Sequence, residues 1–267
     1  MPLLGVLGWP VAHSRSPEIH NAALAEMGLD GWHYQRLPVP PPLFEETVRA
    51  LGDAGFAGAN VTIPHKEAAR ALADRASDAV RAIGAANTLS FVNGTIAAEN
   101  TDAPGLIAAL GFPIAGVRAQ VLGAGGSARA AVWALLDAGA GEVLVWNRTS
   151  DRAERLAEEL GARAVARPQA ADLLVNCTSV GLGVERSSAD GCGLNQLGLQ
   201  GDQIGEYSHV ADLVYRAGST PLLAAARARG AQTTDGLEIL VAQGALSLAL
   251  WTGREPPLEV MRRAAAD

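Results

Sequence analysis

The chain has 267 residues, of which 49% are hydrophobic and 18% are charged, and its formal net charge is -7. This length and apolar content suffice for one large or two ordinary globular domains, which excludes an intrinsically disordered chain. The acidic balance argues against a general nucleic-acid-binding or membrane-surface protein, because both need a broad positive field.

The cysteine usage and the N-terminal pattern predict a cytoplasmic protein. Cys177 and Cys192 are too few for a disulfide framework or a metal site, so we expect a reducing compartment and no bound metal. Residues 1–10 lack the basic start of a signal peptide. The longest apolar stretch, 237–251, is shorter than a bilayer span and carries polar side chains, so it predicts a buried helix.

Short β-branched or leucine-rich runs alternate with alanine-rich helical runs along the chain, a pattern that predicts an α/β fold with a parallel sheet. The predicted strands cover residues 3–7, 32–38, 59–63, 119–122, 142–146, 173–176 and 210–214. Helices are expected between them. Residues 181–209 are rich in Gly, Ser, Asp and Gln, which predicts a long surface loop near the site.

We expect two lobes. An N-terminal α/β domain, residues 1–100, is completed by a returning C-terminal segment, residues 236–267, and would bind the substrate. Residues 101–235 would form a Rossmann-like, doubly wound dinucleotide-binding domain.

A glycine-rich turn follows the predicted strand 119–122 and precedes a helical run. The turn consists of Gly123, Ala124, Gly125, Gly126, Ser127 and Ala128. In this strand-turn-helix context, G-x-G-x-x-A is the dinucleotide-binding fingerprint. Gly123 permits the tight turn, Gly125 admits a pyrophosphate, and Ala128 keeps the helix close to the strand. The alternative is that these glycines serve the turn alone.

The residues after the next strand, 142–146, predict the type of dinucleotide. An NAD enzyme usually places an acidic residue here, against the ribose 2′-hydroxyl. This chain instead has Asn147, Arg148, Thr149 and, one turn on, Arg152. These are donors suited to a 2′-phosphate, so NADP is preferred over NAD. The alternative for Arg152 is that it merely begins a solvated helix.

Polar residues of the N-terminal half cluster where strands are predicted to stop, at 13–17, 60–66, 84–88 and 100–102. Ligands of α/β proteins bind at strand ends. Simpler roles are also available: Ser16 could be a helix N-cap with Pro17 at the first helical position, Asp102 could be another cap, and Lys66 could be a surface lysine.

Taken together, these motifs resemble the signatures of the shikimate dehydrogenase family. The matching segments run in order along nearly the whole chain: G-W-P-V-A-H-S-R-S-P at 8–17, N-V-T-I-P-H-K at 60–66, G-A-A-N-T at 84–88, N-T-D at 100–102, D-L-V-Y at 212–215, T-P-L-L at 220–223, D-G-L at 235–237, and Gln243.

The resemblance implies reversible, NADP-dependent reduction of 3-dehydroshikimate to shikimate, in the pathway to aromatic amino acids. Lys66 and Asp102 would be the catalytic pair, and Ser14 and Ser16 would hold the substrate carboxylate. Further substrate-binding residues would be Asn60, Thr62, Asn87, Tyr215 and Gln243. Besides the glycine turn and the residues after strand 142–146, the cofactor would contact Val214 and Gly236.

The chemistry of these residues is consistent with that reaction. Reducing a ketone develops alkoxide charge, so the site needs a proton donor and a cation near that oxygen, and Lys66 can be both. We expect Pro64 to open a helix with Lys66 in its first turn. Asp102 would orient the lysine and a substrate hydroxyl.

Two other functions stay open at this stage. One is a broader quinate/shikimate dehydrogenase, and the other is a non-catalytic ligand sensor on the same fold, against which the intact Lys66 and Asp102 speak. The expected partner is a small-molecule substrate and neither nucleic acid nor membrane. A homodimer is compatible with the sequence and not required by it.

Overall fold

The computed structural model describes residues 1–182, 193–200, 202–216 and 218–267. It divides into two compact units, one formed by Met1–Gly105 with Leu240–Asp267 and the other by Leu106–Ile239. Both changes of unit fall inside helices, a few residues beyond the boundaries expected at 100 and 235.

The strands are β1 Leu3–Gly8, β2 His33–Pro38, β3 Phe56–Val61, β4 Arg75–Ala76, β5 Thr88–Val92, β6 Thr95–Glu99, β7 Arg118–Leu122, β8 Glu142–Trp146, β9 Arg163–Ala164, β10 Leu173–Asn176, β11 His209–Asp212 and β12 Gln232–Thr234. The α-helices are α1 Ser16–Glu26, α2 Phe44–Leu51, α3 Lys66–Leu72, α4 Asp78–Ile83, α5 Asp102–Leu110, α6 Gly126–Asp137, α7 Ser150–Leu160, α8 Pro221–Arg227, α9 Gly236–Thr252 and α10 Leu258–Ala266.

The first unit contains a six-stranded mixed sheet in the order β2-β1-β3-β5-β6-β4. Strands β2, β1 and β3 are parallel, so the loops that leave β1 and β3 emerge at the same edge of the sheet. Those two loops carry the predicted substrate residues Ser14, Ser16 and Lys66.

The second unit contains a parallel six-stranded sheet in the order β12-β11-β10-β7-β8-β9. Counted from β7, this is the 3-2-1-4-5-6 order of the Rossmann fold. The predicted α/β class with a Rossmann-like domain is therefore confirmed.

The four central strands of the second sheet, β7, β8, β10 and β11, are largely buried on both faces, as a parallel sheet covered by helices requires. Val121 and Val175 pack on one face with helix residues such as Val132. Leu122 and Leu174 point to the opposite face and pack in a separate cluster with Leu223. The rigid β7 and its neighbours thus fix the position of the turn that follows Leu122.

Five strands lie outside the predicted ones: β4, β5, β6, β9 and β12. Strands β5 and β6 pair antiparallel around Asn93 and Gly94, both of which have positive φ. Asn-Gly between two β-rich runs is a strong hairpin signal that was available in the sequence.

The predicted surface loop at 181–209 is wrong for the described residues 193–200 and 202–209. They form 3-10 helices at Leu194–Leu197 and Gln203–Glu206. Five apolar side chains of this segment are buried against the sheet of the second unit: Leu194, Leu197, Leu199, Ile204 and Tyr207. Burying them outweighs the polar composition of the segment. Residues 183–192, including Cys192, lie outside the described residues.

Helix α9 packs very closely on the sheet of the first unit. A Cβ at Gly58 of β3 would lie 2.0 Å from the indole nitrogen of Trp251, so only glycine leaves room for that ring. The same indole N–H donates to the carbonyl of Leu89 at 3.0 Å. None of the helices in the described ranges combines the length and apolar character needed to cross a membrane.

Candidate functional site

Lys66 and Asp102 form an ion pair in the first unit. The Lys66 Nζ lies 2.6 Å from Oδ2 of Asp102, and their side chains are only 10% and 16% exposed. Lys66 is therefore not a surface lysine. A short, charge-assisted hydrogen bond in a largely dehydrated place fixes the ammonium group where it can act on a ligand.

Lys66 is the first residue of α3, which begins two residues later than expected. Pro64 does not open the helix, because residues 62–65 form a turn closed by the His65 N–H and the Thr62 carbonyl at 2.9 Å. The His65 ring contacts the carbonyl of Val39 at 2.7 Å and stacks on Phe44. This buried ring anchors the start of α3 and hence the backbone of Lys66.

Asn87 and Gln243 complete the surroundings of Asp102. The Asn87 amide nitrogen donates to Oδ1 of Asp102 at 2.9 Å and to Oε1 of Gln243 at 3.1 Å. The Gln243 amide nitrogen donates to the carbonyl of Leu240 at 2.8 Å, so this buried amide has protein partners. The structure thus brings Lys66, Asp102, Asn87 and Gln243 together.

A close helix contact keeps this group compact. A Cβ at Gly105 of α5 would lie 2.8 Å from the Cβ and the backbone nitrogen of Gln243 in α9. Asn100, and not Asp102, supplies the side-chain acceptor at the start of α5, because its Oδ1 accepts from the Ala103 N–H at 3.1 Å. The carboxylate of Asp102 is therefore left for Lys66 and Asn87.

Ser14 and Ser16 lie next to each other after β1. Their hydroxyls are 3.2 Å apart, and the Ser14 hydroxyl also accepts from the Ser16 N–H at 3.3 Å. Ser16 is not the helix N-cap, because α1 begins at Ser16 and Arg15 occupies the cap position without a side-chain cap bond. Arg36 holds the loop by donating twice to the Ser14 carbonyl, at 3.0 and 2.6 Å.

Asn60 and Thr62 follow one another along and beyond β3. Thr62 is half-buried at the sheet edge. The Asn60 side chain is buried and bonded within the protein: its oxygen accepts from the Tyr34 hydroxyl at 2.8 Å and its nitrogen lies 2.9 Å from the Ser247 hydroxyl. These bonds give Asn60 a place in the scaffold of the site, while its contact with substrate stays a prediction.

We use the term hydroxyl cluster for the buried hydroxyls of Thr88, Thr101 and Ser247, none of which was predicted to be a site residue. Their oxygens are 2.8 to 3.2 Å apart. Thr101 also bonds to Asn87, since its hydroxyl accepts from the Asn87 amide at 2.9 Å. A hydroxyl residue within an otherwise apolar strand or helix was the available signal, because a polar group buried there needs a hydrogen-bond partner nearby.

Another overlooked signal concerns Lys66. Lysine occurs once in the chain, at position 66, among 21 lysines and arginines in total. Lysine can release and take up a proton near neutral pH when its surroundings favour it, whereas arginine stays protonated. The one lysine of the chain thus lies in the buried pair with Asp102.

In the second unit, the glycine turn follows β7 as expected. Gly123 has φ +111°, and a Cβ there would lie 3.2 Å from the Cys177 carbonyl oxygen. Gly125 precedes α6, and nothing lies within 4 Å of a Cβ built on it. Ala124, Gly126 and Ser127 are half-buried, and Ala128 is fully buried. The space beside Gly125, at the start of α6, is thus open, and a helix N-terminus next to open space suits a phosphate group.

The turn after β8 presents a cationic surface. Arg148, Thr149 and Arg152 are exposed, and the Asn147 amide braces the turn by donating to the Thr149 carbonyl at 2.9 Å. These donors fit a 2′-phosphorylated dinucleotide. In the described part of the chain, no group of three or more His, Cys, Asp or Glu residues could hold a metal ion.

The remaining predicted residues surround the end of β11 in the second unit. Val214 is buried and Tyr215 is half-buried. A Cβ at Gly236 would lie 2.8 Å from each of three carbonyl oxygens, those of residues 212, 213 and 214. Gly236 thus lets the start of α9 pack directly on this strand end.

Asp212 lies at the end of β11, and its buried carboxyl group accepts hydrogen bonds from three donors. Burial raises the pKa of the Asp212 carboxyl from 3.8 to about 6, against the lowering effect of hydrogen bonds from Thr220, Val214 and Asn176. Asp235 adds a smaller raising effect on this pKa.

Replacing Asp212 with asparagine should change how stability depends on pH. Between pH 4 and pH 6 the folded chain holds this proton while the unfolded chain has lost it, so the stability contribution of Asp212 falls as pH rises through this range. Two pKa units correspond to on the order of 3 kcal/mol. Denaturant unfolding gives the free energy of unfolding of wild type and Asp212→Asn at pH 4 and at pH 6. The same change in this free energy between the two pH values in both proteins would contradict the expectation.

Family models match most of the chain. The model described as shikimate dehydrogenase substrate binding domain matches residues 6–89, that of shikimate / quinate 5-dehydrogenase matches residues 107–179, and that of the shikimate 5'-dehydrogenase C-terminal domain matches residues 236–266.

Similar proteins cover the chain almost completely. A shikimate dehydrogenase (NADP(+)) of Methanopyrus kandleri is 42% identical over 99% of this chain and 95% of its own length. The crystal structure of shikimate 5-dehydrogenase from Thermus thermophilus, in complex with NADP(H) and shikimate, is 43% identical with a TM-score of 0.87, covering 99% of this chain and 98% of that one. Shikimate dehydrogenase from Aquifex aeolicus is 34% identical with a TM-score of 0.90, covering 100% and 98%. The chain belongs to the shikimate dehydrogenase family.

Proposed function

We propose that the chain catalyses the reversible, NADP-dependent reduction of 3-dehydroshikimate to shikimate in the pathway to aromatic amino acids. The observation that carries this proposal is the buried Lys66–Asp102 pair, with 2.6 Å between Nζ and Oδ2, inside a unit that matches a substrate-binding domain model. Relatives named shikimate dehydrogenase (NADP(+)) are 39 to 45% identical over nearly the whole chain.

The cofactor is NADP. When bound, NADPH supplies the hydride that reduces the ring ketone. The open N-terminus of α6 would hold its phosphates, and Arg148, Thr149 and Arg152 would hold the 2′-phosphate.

Lys66 would donate and accept the proton that is transferred in the reaction. Its ammonium group would donate a proton to the ketone oxygen as negative charge develops there, which turns the ketone into an alcohol. In the reverse direction the neutral amine would take the proton back from the hydroxyl. Asp102 holds the ammonium through one carboxylate oxygen and accepts from Asn87 through the other, so Nζ keeps a single direction.

The substrate would be oriented by groups at its two ends. The neighbouring hydroxyls of Ser14 and Ser16 can both donate to a carboxylate. The Asp102 oxygens have further lone pairs for a ring hydroxyl, and the amides of Asn87 and Gln243 lie beside them. Tyr215 and Thr62 are proposed as further contacts with the substrate.

The proposal includes a cytoplasmic location and a small-molecule partner. The net charge of -7 does not favour binding to a nucleic acid or to an anionic membrane surface, and a dissolved ring carboxylate requires neither. A homodimer stays a prediction, which analytical ultracentrifugation of the purified chain tests.

One absorbance assay tests the function. Purified chain is mixed with shikimate and NADP, and NADPH formation is followed, with quinate and NAD substituted in separate runs. We expect the highest kcat/KM for shikimate with NADP. Equal kcat/KM for quinate would favour a broader quinate/shikimate dehydrogenase, and tight shikimate binding without NADPH formation would favour a ligand sensor.

A further inference from the structure

The amide of Asn87 has one fixed orientation. The backbone N–H of Thr101 donates to its Oδ1 at 2.7 Å, so that atom must be the carbonyl oxygen. Its amide nitrogen, which carries two hydrogens, therefore faces three acceptors, on Asp102, Thr101 and Gln243. Oδ1 of Asp102 faces a donor because Asn87 is held this way, while Oδ2 faces the ammonium group of Lys66.

The hydroxyl cluster has a direction as well. Ser247 donates to the backbone carbonyl of Gln243 at 3.1 Å, since a carbonyl can only accept. A hydroxyl has one hydrogen and two lone pairs, so the Ser247 oxygen then acts only as an acceptor and can take bonds from two of its three other neighbours at a time. The three neighbours are Thr88 at 2.8 Å, Thr101 at 3.0 Å and Asn60 at 2.9 Å.

The far end of this network is fixed by Tyr34. Its hydroxyl donates to Oδ1 of Asn60 at 2.8 Å, which turns the Asn60 nitrogen toward Ser247. The Tyr34 ring is 1% exposed and stacks on the buried His20 ring. A continuous set of buried hydrogen bonds thus runs from Tyr34 through the hydroxyl cluster to Asn87 and Asp102.

We propose that Thr88, Thr101 and Ser247 are positioning residues, which hold Asn87 and thereby keep Asp102 and Lys66 in the geometry that proton transfer needs. The inference about the geometry rests on the contacts above, and its effect on turnover rests on the proposed function. None of the three need touch the substrate. Buried networks of this kind are costly to leave partly unsatisfied, which ties the network to one arrangement.

Thr101 offers a matched pair of variants. Thr101→Val keeps the side-chain volume and removes the hydroxyl, whereas Thr101→Ser keeps the hydroxyl. We expect Thr101→Val to lower kcat by ~10-fold or more, because misplacement of a catalytic group by less than an ångström has effects of this size. Because Asn87 is also proposed to contact the substrate, the KM for shikimate should rise, but by a smaller factor than kcat falls, and Thr101→Ser should restore most of kcat.

The lone lysine gives a second readout that needs no substrate. Protein expressed with ¹³Cε-labelled lysine should give one lysine signal in an NMR spectrum, from Lys66. Thr101→Val should move or broaden that signal, and Thr101→Ser should leave it close to its wild-type position. Ser247→Ala provides a second disruption of the cluster if Thr101→Val does not fold.

Val48→Ala is the control for general destabilisation. Val48 is fully buried in α2, within the apolar core of the same unit and outside the network. It should lower the melting temperature without changing kcat or the lysine signal. A Thr101→Val chain with wild-type kcat and an unmoved lysine signal would overturn the proposal, as would equal losses in Thr101→Ser. A moved signal in a chain whose wild type cannot oxidise shikimate would overturn the proposed function and retain the positioning role.

Discussion

Replacing Lys66 with alanine is expected to lower kcat by ~10²-fold or more, on the usual scale for removal of a general acid. The variant loses the ammonium group that lies 2.6 Å from Asp102 and with it the proposed proton donor. The KM for shikimate should change much less than kcat, because the proton is needed mainly in the transition state. Initial rates at saturating shikimate and NADP give the measurement.

Two further variants define what is lost. Lys66→Arg keeps a positive charge near Asp102 and does not supply a proton at neutral pH, so its kcat should be as low as that of Lys66→Ala. Arg70→Ala removes an exposed cation from the same helix, α3, and should keep wild-type kcat. Near-normal turnover in Lys66→Ala, or full activity in Lys66→Arg, would remove Lys66 from the role of proton donor.

The double variant Arg148→Ala, Arg152→Ala should lose the preference for NADP. A charge-assisted hydrogen bond contributes about 1.5–3 kcal/mol, so the loss of even one of the two should raise the KM for NADP roughly 10- to 100-fold, and the loss of both should raise it further. The KM for NAD, which has no 2′-phosphate, should hardly change. Initial rates with both cofactors at fixed shikimate provide the test.

Arg155 is the matched control for that experiment. It is an exposed arginine of the same helix, α7, and its guanidinium donates to the Asp151 backbone carbonyl at 3.2 Å. Arg155→Ala should leave both cofactor constants unchanged. Equal increases of KM for NADP and NAD in the double variant would mean that the two arginines support the turn and do not recognise the 2′-phosphate.

The fold of the second unit could be predicted because its signals are local. The glycine turn at 123–128 stands directly between a strand and a helix, and strands such as Glu142–Trp146 begin and end as expected. In a sheet covered on both faces, each strand reads as an apolar run that a single sequence reveals. The motif order also gave the shikimate dehydrogenase family, which the comparisons confirm.

What escaped the sequence depends on distant contacts. The two-residue strands β4 and β9 are too short to show a sequence pattern. Each is defined by its pairing with one neighbouring strand, β6 and β8 respectively. Ser247 looks like an ordinary helix residue until β3 and β5 bring Asn60 and Thr88 beside it. The polar composition of 193–209 hid five leucine, isoleucine and tyrosine side chains that pack inward.

Gly236 limits how the coenzyme preference of this chain could be redesigned. Three main-chain oxygens crowd the position where any other residue would place its first carbon, so a library that varies Gly236 would consist mostly of misfolded members. Positions 148, 149 and 152 project into solvent and carry no packing. An engineer could therefore randomise those three freely while keeping the glycine invariant.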